Sequence, residues 1–116
     1  MSSPFAEIKI VTAPSLVFEI YMAGDINDAK RFLTKLAAEQ GACWSVDPTE
    51  FIYSGGRELG FVVRIINYPR FPESVDKLQK SAITLATDLM LSLGQGSCSI
   101  VGPKDTIWLN RRKQDG

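Results

Sequence analysis

The sequence contains no histidine. That removes the side chain most used as a general base near neutral pH, and the commonest imidazole ligand for transition metals. Serine and cysteine nucleophiles are left without their usual activating partner. Cysteine occurs twice, at Cys43 and Cys98. Two widely separated cysteines make neither a four-ligand zinc site nor the disulfide framework of a small secreted scaffold. They read as free thiols buried as small apolar groups, with a single bridge between them as the alternative. Charge of one sign is missing too: 13 basic residues balance 13 acidic ones. A general binder of nucleic acid or anionic membrane carries a positive excess, so neither is expected. No apolar run reaches the ~20 residues that cross a bilayer. The start, "MSSPFAEIKI", lacks the basic and apolar stretches of a secretory signal, so the expected setting is the cytoplasm. These residues call for no cofactor and no metal.

What remains is the composition of an ordinary globular chain, 45% hydrophobic and 22% charged. The 116 residues suit a single domain, 1–116, able to bury one core without staples. Residues 110–116, "NRRKQDG", read as a polar tail expected to fray.

"FAEIKIV" (Phe5 to Val11) and "LVFEIYM" (Leu16 to Met22) alternate in the manner of strands, with "TAPS" as a turn between them. "GDINDAKRFLTKLAAEQG" is a helix. Asp25 is its N-cap, Ala29, Phe32, Leu33, Leu36 and Ala37 its apolar stripe, and Gly41 its stop. "ACWSV" and "EFIYS" are strand pieces divided by "DPT". Pro48 assigns them to a sheet edge or a bulge. "GGRELG" reads as a hairpin connection and "FVVRIIN" (Phe61 to Asn67) as the strongest strand. A second helix is expected from near Pro72, with a stripe of Val75, Leu78, Ala82, Leu85, Leu89 and Leu93, stopped by Gly94. "SCSIV" and "TIWL" close the chain as strands.

The order predicts an α+β fold. Its middle is a ferredoxin-like βαββαβ core with extra N-terminal and C-terminal strands, and both helices lie on one face of an antiparallel sheet. The other face carries Val17, Glu19, Tyr21, Val62, Arg64 and Ile66. It is too apolar to be freely solvated, which suggests a homo-oligomer, a dimer or higher, meeting sheet to sheet.

The junction "NYPRFP" holds the candidate site. The positive end of the second helix together with Arg70 would attract an anion, Tyr68 and Phe71 would stack on a ring, and Asn67 would read a polar edge. Read structurally, the prolines stiffen the loop, the aromatics plug the core end and Arg70 is solvated. Arg57, Arg64, Arg111 and Arg112 are outer anion contacts. "RELGFVVR" matches the RNA-recognition strand motif in part, at Arg57, Gly60, Phe61 and Val62. Leu59 and Arg64 replace its stacking aromatics. "SGGR" (Ser54 to Arg57) lacks the lysine and following helix of a phosphate loop, and reads as a turn.

Through "YMAGDINDAKRF", "YSGGRELGFVVRIINYPRFP" and "LGQGSCSIVGPKDTIWL" the chain resembles small phage- or prophage-encoded proteins of unassigned role. The resemblance implies a setting in the host cytoplasm and, with no catalytic set in view, binding rather than catalysis. The expectation is a non-enzymatic protein, an inhibitor or sponge that masks a host protein or holds an anionic nucleotide. The alternatives are single-stranded RNA binding through Tyr21, Phe61 and Arg64, or a small carboxylate- and metal-dependent enzyme.

Overall fold

The computed structural model describes residues 7–111. Strand β1 is Val17–Ala23, followed by helix α1 (Ile26–Gln40), strands β2 (Ser45–Tyr53) and β3 (Gly56–Ile66), helix α2 (Val75–Leu93), and strands β4 (Ser97–Val101) and β5 (Thr106–Asn110). They form one five-stranded sheet in the order β2-β3-β1-β4-β5, antiparallel at every contact. Without β5 this is the ferredoxin-like arrangement, a split βαβ unit used twice.

Local chemistry sets the helix ends. The Asp25 carboxylate accepts from the Asn27 N–H at 2.7 Å and the Asp28 N–H at 3.2 Å, opening α1. Gly41, at φ 65°, closes it in a left-handed conformation that costs glycine little. Helix α2 is opened by the Ser74 hydroxyl, which accepts from the Lys77 N–H at 3.2 Å, and closed by Gly94.

The centre of the sheet is the β1–β3 pair. Phe18 lies opposite Ile65, Ile20 opposite Val63, and Met22 opposite Phe61. These side chains are buried and share one core with Ala29 and Leu33 of α1, and with Leu78, Ala82, Leu85, Ala86, Leu89 and Met90 of α2. Both helices therefore cover the same face. Each fully hidden Leu, Ile or Phe contributes about 1.5–3 kcal/mol. The intervening residues, Glu19 with Arg64 and Tyr21 with Val62, point to the other face.

Several boundaries differ from those read in the sequence. Glu7–Val11 forms no strand, and Ile8, Ile10 and Val11 are exposed; Phe5 and Ala6 lie outside the described residues. The pieces around "DPT" are one continuous strand. Pro48 sits opposite Phe61 in β2, an edge strand where one side of the ladder needs no donor. "GGRELG" is not a connection: only Ser54–Gly55 turns, with Gly55 at φ 88°, and Gly56 onward already belongs to β3. Helix α2 starts at Val75 instead of near Pro72, because Ser74 supplies the cap. Cys43 is exposed and not in the core, whereas Cys98 is buried; both are free. Asn110 ends β5, and residues 112–116 lie outside the described part.

Because β1 ends opposite Gly60, the β2–β3 hairpin continues alone as an arm. The Cα radius of gyration is 17.1 Å, against about 13 Å for a compact domain of this size. Gly60 sits where the arm leaves the sheet. A Cβ there would press on the Met22 carbonyl oxygen and come within 2.5 Å of Phe51 Cε2.

Two predictions follow from this packing. Gly60→Ala destabilises the fold by about 1–3 kcal/mol, as overpacking does, read as a lower urea midpoint with unchanged slope. Burial pushes the Cys98 thiol from 9.0 up to about 11. The folded state therefore favours the neutral thiol, and its contribution, complete below pH 9, is lost as pH rises toward 11. Cys98→Ala accordingly flattens the fall of Tm with pH across that window.

Candidate functional site

The residues between β3 and α2 are organised by Asn67. Its Nδ2 donates to the Pro14 carbonyl at 3.0 Å, its Oδ1 accepts the Glu73 N–H at 2.8 Å, and its own N–H donates to the Leu16 carbonyl at 3.0 Å. One buried amide thus ties the approach to β1 to the start of α2. Both ends of that amide are engaged within the chain. Between these anchors the Phe71 N–H donates to the Tyr68 carbonyl at 2.9 Å, closing a turn around Pro69 and Arg70.

That turn is one wall of a groove of about 800 Å³, a size common for small-molecule sites. Ile65, Leu78 and Leu85 contribute apolar surface from β3 and α2. Tyr68, Phe71 and Trp44 supply aromatic surface, and Leu36, Gln40 and Gly41 bring in the end of α1. The charged lining is mixed, with Arg70, Lys77 and Lys80 alongside Glu73 and Asp88. The Tyr68 hydroxyl donates to Cys43 Sγ at 3.5 Å. That bond, with partial burial, raises the Tyr68 pKa above its ordinary value, so the phenol stays protonated at neutral pH. The Arg70 guanidinium lies 5.2 Å from the centroid of the Phe71 ring, within cation–π range.

The residues singled out in the sequence do not all meet. Tyr68, Arg70 and Phe71 line the groove, while Asn67 holds the turn from behind. Arg57 lies on the arm, 3.6 Å from Glu50. Arg64 lies on the opposite sheet face, bonded to Glu19 at 2.8 Å and to Asp47. The bond to Glu19 and then that to Asp47 raise its pKa, which keeps it cationic. Arg111 follows β5, its N–H donating to the Gly96 carbonyl, and Arg112 lies outside the described residues. Of the arginines expected as outer anion contacts, β3 carries Arg57 out along the arm and Arg64 onto the opposite sheet face. Phe61 is wholly buried under the helices and cannot stack on a base, which removes one of the two aromatics, Tyr21 and Phe61, on which the RNA reading relied.

Sequence reasoning passed over Cys43 and Trp44, and over Lys77, Lys80, Ser81, Thr84 and Asp88 of α2. The α2 residues had a signal: they recur at helical spacing beside the apolar stripe of Leu78, Ala82 and Leu85. Cys43 and Trp44 had none, because only the fold brings them opposite α2. Among the described residues no group of three or more acidic or cysteine side chains is placed to hold a metal ion.

No protein-family model matches the chain, and no curated protein matches it. Solved structures do. A phage SAM lyase in its apo state superposes with TM-score 0.76 at 13% identity, over 94% of this chain and 100% of that chain. A phage SAM lyase in complex with S-methyl-5'-thioadenosine superposes with TM-score 0.75 at 14% identity, over 93% and 98%. At such identity the likeness is one of fold. The resemblance to phage proteins seen in the sequence thus recurs in the architecture. The expectation of a non-enzymatic binder is corrected by the same finding, because the end-to-end structural neighbours are an enzyme.

Asn67→Ala strands the Glu73 N–H and the Pro14 carbonyl. A loss of about 1–3 kcal/mol is expected, measured by chemical denaturation, with faster hydrogen exchange at the Glu73 amide.

Proposed function

We propose that this chain is a lyase acting on SAM (S-adenosylmethionine) in the groove beside Tyr68 and Phe71. The observation that carries the reading is the superposition on phage SAM lyase, nearly complete for both chains, one of the two structures holding S-methyl-5'-thioadenosine. That molecule keeps the methyl and adenosyl groups of SAM, so the bond broken is the one from sulfur to the amino-acid chain.

The chemistry suits a chain without histidine. A sulfonium leaves as a neutral thioether and needs no acid to protonate it; as that bond breaks, the substrate's own carboxylate oxygen bonds to the carbon the sulfur leaves, closing a lactone, so the step balances without a protein base. The tasks left to the protein are to hold the cation, orient the amino-acid half and exclude water. The groove has groups for each. The aromatic rings of Phe71, Tyr68 and Trp44 attract a cation, as the Arg70–Phe71 contact already illustrates. Glu73 and Asp88 add negative charge, and Lys77 and Lys80 suit the substrate carboxylate. The apolar surface of Ile65, Leu78 and Leu85 suits the adenosyl group.

The test is incubation of the purified protein with SAM and chromatographic detection of S-methyl-5'-thioadenosine. Release by the parent protein is expected. Phe71→Ala, at an exposed ring that the fold does not require, should lower kcat/KM by about 2- to 30-fold, the scale of a cation–π contact. No release by the parent protein defeats the proposal. Release unaffected by Phe71→Ala and Asp88→Asn moves the site out of this groove.

A further inference from the structure

We infer that Glu7–Val11 of one copy adds as a sixth strand to the β5 edge of a second copy. The segment has the pattern of a strand, Glu7 and Lys9 alternating with Ile8 and Ile10, yet it pairs with nothing in the described part of its own chain. Ile8 is 71% exposed, Ile10 88% and Val11 63%. Three β-branched side chains in so short a stretch are costly to leave in water, and a segment with the pattern of a strand but no ladder has little to hold it.

Its own sheet offers no adjacent place. Both sides of β1 are taken, by β3 and by β4. The bonds from Asn67 to the Pro14 and Leu16 carbonyls fix where the segment leaves, at the end of the sheet where β1 begins.

The two sheet edges differ. The β2 edge is interrupted by Pro48 and flanked by Asp47 and Glu50, the devices by which native edges discourage further pairing. Thr106–Leu109 of β5 has no proline and no charge, and among the described residues no strand lies on its outer side. Trp108 on this edge is 62% exposed. A bare edge and an unpartnered strand are complementary by main-chain hydrogen bonding, the mode of strand addition. Every copy carries both halves at equal concentration. The assembly then closes either by reciprocal exchange in a dimer or head to tail around a ring.

The experiment combines light scattering and hydrogen exchange on the full chain and on an Ile8→Asp, Ile10→Asp variant. Both side chains are exposed in the single copy, so the variant should fold with the parent's circular dichroism. The expected result is a parent multimer in which alternate amides within 8–11 and the outward-facing amides of Thr106 and Trp108 are protected, and a monomeric variant that loses both sets of protection together, while Ile107, bonded to β4, stays protected in both. A parent that stays monomeric at every concentration overturns the inference; protected amides 8–11 in that monomer would mean the segment folds onto its own sheet. A variant that remains multimeric overturns it as well. Cleavage of SAM is not read here, so this outcome and that of the groove are separable.

Discussion

The antiparallel pairing of β1 with β3 is the constraint on which the rest of the molecule depends. With Phe18 opposite Ile65 and Met22 opposite Phe61, one face becomes apolar enough to bind two helices. A slip of β3 by one residue would send Arg64 under the helices, away from Glu19, and turn Phe61 to the other face. The cost of burying an unpaired guanidinium makes that alternative untenable. The register also sets the groove. Ile65 can contribute to it only because Val63 and Phe61, two and four residues earlier on the same face, lie beneath the helices.

At the far end of β3 the same pairing hands over to a single side chain. Asn67 is the one polar residue buried among the described residues, and neither its donor nor its acceptor is spare. A buried amide with both functions satisfied is specific about its neighbours, since any shift leaves a polar group without a partner. The turn at Tyr68–Phe71 is thus held from behind by Asn67, leaving its aromatic and cationic groups toward the groove. The Tyr68 hydroxyl, bonded to Cys43, extends this bracing across to the chain leading into β2.

How far the sequence carried follows from whether the deciding contact was local. Helix α1 was legible because Asp25 and Gly41, its two ends, act within a few residues of themselves. The start of α2 was not: Pro72 and Ser74 are both acceptable openings, and the Glu73 N–H is claimed by a side chain six residues back. "GGRELG" looked like a turn because glycine permits one, but Gly56 and Gly60 serve the close approach of the Tyr53 and Phe51 rings. Tyr68, Arg70 and Phe71 could be picked out as a group because they are adjacent. Cys43 and Trp44 could not, since they meet the groove only through the β2–β3 pairing. The absence of histidine was read too broadly: it excludes one kind of general base, not catalysis as such.

The parts of this chain that exceed the ferredoxin-like core share a property. The core is complete with β1–β4 and the two helices, and its buried residues all lie within them. The arm beyond Gly60, strand β5 and the segment before β1 are additions. Among them they expose Ile52, Tyr53, Leu59, Trp108, Ile8, Ile10 and Val11. An addition that stabilised the single chain would turn such side chains inward, as Ile107 and Leu109 are half-turned against the core. Apolar surface displayed on projections at opposite ends of a sheet does nothing for the monomer's stability and lowers its solubility. The core, by contrast, carries the fold and frames the groove.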